Sequence, residues 1–333
     1  MEGVVYKSTG SWYEVKGEDG SFYDCKIKGK FRLQGIKSTN PIAVGDRVFF
    51  DLEKKGDEEL GVIHSIAERD NYIIRKSVNL SKQTHIIAAN IDQVFLLVTL
   101  NNPPTFTSFI DRFLVTAHAY QIPAVLLFNK VDTYDDEQQP AQVDPATGED
   151  YLLMTQLDQV RYLMHLYGTI GYDCLAVSAA TGKNIDKVKE MMTSKTSMFA
   201  GHSGAGKSTM ANAVQPDLDL KTKAISDQHR QGQHTTTHAQ MFDLDFDARI
   251  IDTPGVKGFG IVDMEREEIS SYFPEMQNLK QDCKFHNCLH LEEPKCAVKA
   301  AVEEGSVFQS RYDNYISLIT DDELQYRTDK YTR

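Results

Sequence analysis

The chain has 333 residues, 41% of them hydrophobic and 25% charged, with a formal net charge of −12 at pH 7. That length holds two or three domains with at least one sizeable core, and the composition is ordinary for a soluble globular protein. The acidic balance argues against a protein that coats nucleic acid by charge alone, although it leaves room for a local basic patch.

Met1-Glu2-Gly3 opens directly into strand-like sequence, without a basic start followed by an apolar stretch, so no secretory signal is expected. The longest apolar run, around Val94 to Leu100, is too short to cross a bilayer. No membrane association is therefore expected; the expectation is a cytoplasmic monomer. The five cysteines do not read as a disulfide framework. Cys283, Cys288 and Cys296 crowd one short segment beside histidines, which in a reducing compartment reads as metal binding.

Residues 1–70 read as an all-β domain. Gly3 to Tyr6, Ser11 to Val15, Phe22 to Lys28, Arg47 to Leu52 and Gly61 to Ser65 are rich in aromatic and β-branched residues. Turn signals such as Glu18-Asp19-Gly20-Ser21 and Val44-Gly45-Asp46 separate them. Short strands at this density suit a small barrel such as an OB-fold. Tyr23, Cys25 and Ile27 share a parity that faces a core, while Asp24, Lys26 and Lys28 face out. Lys30 and Arg32 extend that basic row, which is either a solvated face or an RNA-binding one. Trp12, Tyr13 or Phe31 could stack on bases or belong to the core.

From residue 71 to residue 264 strands alternate with helices. Strands are expected at Gln93 to Leu100, Ala124 to Phe128, Cys174 to Val177, Thr196 to Ala200, Gln240 to Phe246 and Arg249 to Ile251. Helices are expected at Phe106 to Tyr120, Tyr151 to Tyr167, Ile185 to Met192 and Lys207 to Val214. This alternation predicts a mostly parallel sheet with helices on both faces.

The first motif in this region is Asn129-Lys130-Val131-Asp132, directly after an apolar strand. In that position N-K-x-D reads guanine. A carboxylate at Asp132 can accept from both N1–H and the exocyclic amine, whereas adenine would leave it unpaired. Asn129 would tie this loop to the phosphate loop, and the Lys130 stem would lie along the base. Ser178-Ala179-Ala180, again at a strand end, matches the loop whose backbone N–H approaches guanine O6, with Ala180 where Lys or Leu is frequent.

Gly201-His202-Ser203-Gly204-Ala205-Gly206-Lys207-Ser208-Thr209 then satisfies the G-x-x-x-x-G-K-[ST] spacing between a strand and a helix. Its backbone N–H groups would cradle phosphates, Lys207 would add charge at the β and γ oxygens, and Ser208 would offer a hydroxyl to Mg²⁺. Asp252-Thr253-Pro254-Gly255 matches D-x-x-G. There Asp252 would hold Mg²⁺ through water and the Gly255 N–H would sense the γ-phosphate. Between these two motifs lies Gly232-Gln233-His234-Thr235-Thr236-Thr237, where a first switch belongs. Thr236, in preference to Thr235, is expected to ligate Mg²⁺. After D-x-x-G stands Val256 rather than a water-orienting Gln. His234 is the nearest catalytic candidate.

The order of these motifs is unusual, since the guanine reader and the S-A loop precede the phosphate loop and the switches. A parallel sheet tolerates such a circular permutation because chain termini usually lie close together at the surface. Residues 265–333 hold the segment C-x₄-C-x-H-x₅-C, made of Cys283, Cys288, His290 and Cys296, followed by a polar helical tail. Three thiolates and one imidazole suit a closed, structural Zn²⁺ site, with His286 a competing ligand.

Taken together these motifs resemble the ribosome small-subunit-dependent GTPase A family, RsgA, also called YjeQ or YloQ. The resemblance covers nearly the whole chain. It includes Ala88-Ala89-Asn90-Ile91-Asp92-Gln93, N-K-V-D, G-H-S-G-A-G-K-S-T, H-T-T-T, D-T-P-G, the Cys/His spacing and a terminal helix from Ala297 through Tyr315. It implies an N-terminal OB-fold, a circularly permuted α/β GTPase domain and a C-terminal zinc domain. It also implies late maturation of the small ribosomal subunit, contact with its rRNA, and GTP hydrolysis to GDP stimulated by that subunit. Gln233 departs from the basic residue usual in the family. The competing readings are a metabolic P-loop kinase and an RNA-binding scaffold that uses GTP as a structural ligand.

Overall fold

In the computed structural model, residues 1–27, 41–55, 58–76, 84–137, 142–143, 150–151, 154–218, 239–252 and 264–320 are described. The first five strands, β1 (Glu2–Ser8), β2 (Tyr13–Gly17), β3 (Phe22–Ile27), β4 (Arg47–Lys55) and β5 (Glu58–Ile66), run in spatial order β1-β2-β3-β5-β4. Pairing of β1 with β4 closes the barrel, so the OB-like expectation holds. Val5, Tyr13, Val15, Cys25, Phe50 and Ile63 fill it. The parity read for the third strand is observed: Cys25 is fully buried, while Tyr23 and Ile27 pack against the same core. Tyr13 is core and Trp12 is exposed.

A hairpin that the sequence did not signal, β6 (Tyr72–Lys76) with β7 (Thr84–Ala89), leads out of the barrel. The central domain then runs β8 (Gln93–Val98), α1 (Thr107–Ala119), β9 (Ala124–Phe128), a minimal pair β10 (Gln142–Val143) and β11 (Asp150–Tyr151), and α2 (Gln156–Ile170). It continues through β12 (Asp173–Ala176), α3 (Ile185–Met192), β13 (Thr196–Ala200), α4 (Lys207–Val214), β14 (Gln240–Leu244) and β15 (Ala248–Asp252). The strands order as β12-β9-β8-β13-β15-β14, parallel except for β14.

Strand β8 is buried along its whole length. Val94, Leu96 and Val98 pack in the cluster containing α1 and α2, whereas Phe95 and Leu97 pack in the cluster containing α3 and α4. A run of consecutive apolar residues is what a strand covered on both faces requires. The second helix was expected from Tyr151 and instead starts at Gln156. The Thr155 hydroxyl accepts from Asp158 N–H at 3.0 Å and caps the helix there. Strand β14 also pairs with β1 of the barrel, at Lys7 and Gln240, so one sheet runs through both domains.

The C-terminal part is helical: α5 (Arg266–Ile269), α6 (Pro274–Lys280), α7 (Ala297–Glu303) and α8 (Gln309–Thr320). The expected single helix from Ala297 through Tyr315 is two helices. Gly305, with φ +77°, takes the left-handed turn after α7, and Ser306 N–H returns to Ala301 O at 2.9 Å. Among the described residues no helix is long and apolar enough to cross a membrane.

Candidate nucleotide site and metal cluster

The chain from Gly201 to Gly206 joins β13 to α4 at the C-terminal edge of the sheet, where open α/β sheets bind ligands. Two of its glycines are steric necessities. A Cβ on Gly201 would stand 2.8 Å from Leu97 O, and one on Gly206 would stand 2.5 Å from Asn129 Nδ2. Both have positive φ, 137° and 99°. Lys207 Nζ donates to Gly201 O and His202 O, each at 2.8 Å, so the ammonium folds onto its own loop. Burial lowers the Lys207 pKa, and the charge of Asp252 opposes that shift.

Asn129 reaches across to this loop. Its Nδ2 donates to Ala205 O at 2.9 Å, and its Oδ1 accepts from Ala179 N–H at 3.1 Å. One side chain therefore joins the segment after β9, the loop from Gly201 to Gly206 and the Ser178-Ala179-Ala180 segment, which lie far apart in sequence. Ser178 is fully buried, and its hydroxyl accepts from Thr181 N–H at 3.1 Å. Asp132 lies exposed in a single turn, Val131–Thr133. Lys130 Nζ donates to Asn102 O at 2.5 Å, and burial lowers its pKa against the pull of Asp132.

Ser208 sits in the first turn of α4. Asp252 ends β15, whose Ile251 is paired with Met198 of β13. Gly255, His234, Thr235 and Thr236 lie outside the described residues, as do Lys28, Lys30 and Arg32. Lys26 is described. Its Nζ stands 3.7 Å from the centre of the exposed Trp12 ring, a cation–π pair on the barrel surface.

Two residues at this site were not legible in the sequence. Phe109 of α1 stacks on His202 with ring centroids 4.0 Å apart. Burial, followed by the charge of Lys207, lowers the His202 pKa, which favours the neutral ring. Tyr134, just past the tetrapeptide Asn129 to Asp132, buries its ring and donates a hydrogen bond to Asn129 O. Neither residue falls within a motif.

In the C-terminal part, one ligand atom from each of Cys283, Cys288, His290 and Cys296 lies within 4.8 Å of the others. His290 Nδ1 is 3.3 Å from Cys296 Sγ and 3.6 Å from Cys283 Sγ, and those two sulfurs are 4.0 Å apart. A tetrahedral zinc site with ordinary Zn–S and Zn–N bonds has S–S edges of about 3.8 Å and S–N edges of about 3.6 Å. The donor set fits such an ion. Burial raises the Cys288 thiol to about 12 and lowers His290 to about 4. The imidazole is thus neutral, and the thiol needs a nearby cation to ionise.

His286, the competing ligand, is exposed and outside the cluster. The loop bearing His290 is held by Glu293, whose carboxylate accepts from Leu289 N–H at 2.8 Å and Leu291 N–H at 2.7 Å. From α8, Tyr312 and Tyr315 donate to His290 O and Leu289 O.

Residues 66–262 match the family model described as RsgA GTPase, and residues 2–63 match RsgA N-terminal domain. The chain is 65% identical over 333 residues to the small ribosomal subunit biogenesis GTPase RsgA of Christiangramia forsetii, with all of each chain covered. It is 61% identical to the protein of that name from Flavobacterium johnsoniae, covering 99% of this chain and 96% of the other. The crystal structure of YjeQ from Thermotoga maritima matches with a TM-score of 0.72 at 36% identity, covering 96% of both chains. That of YloQ, a circularly permuted GTPase, matches with a TM-score of 0.70 at 29% identity, covering 97% of this chain and 95% of that one.

Proposed function

The chain belongs to the RsgA GTPase family, and on that premise we propose that it hydrolyses GTP to GDP as a late maturation factor of the small ribosomal subunit. The subunit would stimulate the hydrolysis. The observation that carries the nucleotide site is the placement of Asn129, whose amide holds Ala205 O and Ala179 N–H together. Three loops from distant parts of the chain thereby meet at one sheet edge, as a guanine nucleotide with its phosphates requires.

The assigned roles follow the motif chemistry. Asp132 reads guanine, flanked by Asn129, Lys130 and Val131. Ser178, Ala179 and Ala180 approach the base. Residues 201–209, with Gly255, hold the phosphates. Ser208, Thr236 and Asp252 would hold Mg²⁺, which would neutralise phosphate charge when bound. His234 would position the attacking water. Cys283, Cys288, His290 and Cys296 would hold one structural Zn²⁺, cross-linking a loop that has few apolar side chains of its own.

The division proposed is residues 1–70 for RNA contact, 71–264 for the GTPase and 265–333 for the zinc domain. Lys26, Lys28, Lys30 and Arg32 would contact rRNA phosphates. The site of action would be the cytoplasm, with a monomer as the working unit. Sedimentation with purified subunits in the presence of a non-hydrolysable GTP analogue tests the partner. The protein should pellet with the small subunit and not with the large one; equal recovery with both would contradict the assignment.

A further inference from the structure

We infer that Tyr134 is a positioning residue for guanine selection, its hydroxyl closing the turn from which Asp132 projects. This rests on the reading of Asn129 to Asp132 as the guanine-binding loop. The Tyr134 hydroxyl donates to Asn129 O at 2.7 Å and accepts from Leu100 N–H at 2.9 Å. Its proton and a lone pair are thus both committed, and the residue is only 8% exposed.

Asn129 depends on that bond. Its N–H goes to Val98 O at 2.8 Å, its Nδ2 to Ala205 O and its Oδ1 to Ala179 N–H. The carbonyl is its remaining polar group, and Tyr134 satisfies it. Asp132 lies between Asn129 and Tyr134, so the hydroxyl ties together the two ends of the turn that carries the carboxylate. Lys130 at the start of this turn has φ +67°, a left-handed conformation that a side chain holds only when neighbouring contacts impose it. Thr133 contributes by donating both N–H and Oγ1–H to Lys130 O, at 2.9 and 2.8 Å.

The second partner, Leu100, opens a short turn that touches the rest of the site. Thr105 N–H returns to Thr99 O at 2.7 Å, and the Thr99 hydroxyl donates to Pro103 O at 2.5 Å. Lys130 Nζ grips this turn at Asn102 O. On its far side, Pro103 Cδ stands 3.4 Å from where a Cβ on Gly204 would lie. The Tyr134 hydroxyl therefore joins the guanine loop to a brace that also abuts the phosphate loop.

The consequence is selective. Guanine recognition needs the Asp132 carboxylate to meet two donors at once, and two-point contact tolerates less angular play than one-point contact. Inosine lacks the exocyclic amine and offers one donor. Loosening the turn should weaken guanosine binding more than inosine binding. A tyrosine that merely filled the core would weaken both alike.

The test is calorimetric titration of GDP and IDP against the full chain and against Tyr134→Phe, which keeps the ring. Leaving the Asn129 carbonyl unpaired should weaken GDP binding by about tenfold, with IDP weakened less, so that the IDP/GDP ratio of dissociation constants narrows. Replacing Tyr134 with p-aminophenylalanine, which returns an N–H donor to Asn129 O, should widen the ratio again. An unchanged ratio in Tyr134→Phe overturns the inference. So does loss of a cooperative thermal melt, which would make Tyr134 a stability residue. If the parent protein itself does not prefer GDP to IDP, the guanine-loop reading fails first and the inference falls with it.

Discussion

Arg311 Nη1 lies 2.5 Å from Asp111 Oδ1, and both residues are buried, although 200 positions separate them in the chain. The pair fastens α8 to α1, joining the C-terminal helices to the GTPase domain. Glu275 of α6 takes Arg311 Nε at 2.7 Å, and Asp111 also accepts from Tyr167 and Asn314. Burial works against charge on Arg311, but Asp111 and Glu275 outweigh it and raise its pKa above the ordinary guanidinium value. The same helix carries Phe109, stacked on His202. Helix α1 thus touches the loop from Gly201 to Gly206 near its start and the C-terminal helices further along.

Removing one member of such a network strands the others. Arg311→Met should cost about 3–5 kcal/mol, since it leaves the buried Asp111 carboxylate and the partly buried Glu275 carboxylate without their cation. Denaturant unfolding measures this. Adding Asp111→Asn should recover part of the loss by removing one stranded charge. A single variant as stable as the parent would mean that the domains are held by apolar packing alone.

Asp132→Asn should lose guanine selectivity, because an amide cannot accept from both guanine donors and introduces a donor of its own. The expected loss in GDP binding is about 1–3 kcal/mol. Titration of GDP checks it, and an unchanged affinity would remove Asp132 from the site.

Cys288→Ser should reduce bound zinc well below one ion per chain and loosen the loop between Cys283 and Cys296. Nucleotide affinity should survive, because the cluster packs among the C-terminal helices. Metal analysis and GDP titration on the same sample decide it. Full zinc content in Cys288→Ser would contradict the ligand set.

His234→Ala should bind GTP as the parent does and lose most of the subunit-stimulated turnover, a fall of about 10²–10⁴ if it positions the water. The comparison is made at saturating subunit, so that weakened docking is not mistaken for lost chemistry. Undiminished turnover would assign the water to another group.

The strand–turn–helix around Gly201 to Gly206 was legible because its signals are local. Strand β13, the glycines and helix α4 occupy one continuous stretch, and both predicted flanks, Thr196 to Ala200 and Lys207 to Val214, match the structure. The Cys/His cluster was legible for the same reason. What escaped depends on contacts between distant residues. Nothing near Lys7 signals its pairing with Gln240, and nothing near Phe109 signals His202. Two element boundaries turn on single residues. The Thr155 side chain sets the start of α2, and Gly305 with its positive φ separates α7 from α8. The β6–β7 hairpin, Tyr72–Lys76 with Thr84–Ala89, is built from two short runs that give little periodicity to read.

The central claim is a GTPase that the small ribosomal subunit stimulates, and steady-state phosphate release tests it most directly. Purified protein with GTP and Mg²⁺ is assayed in buffer, with small subunits, and with large subunits. The account predicts slow release in buffer, saturable acceleration by the small subunit, and none by the large one. Equal rates in all three, or hydrolysis of ATP in preference to GTP, would contradict it.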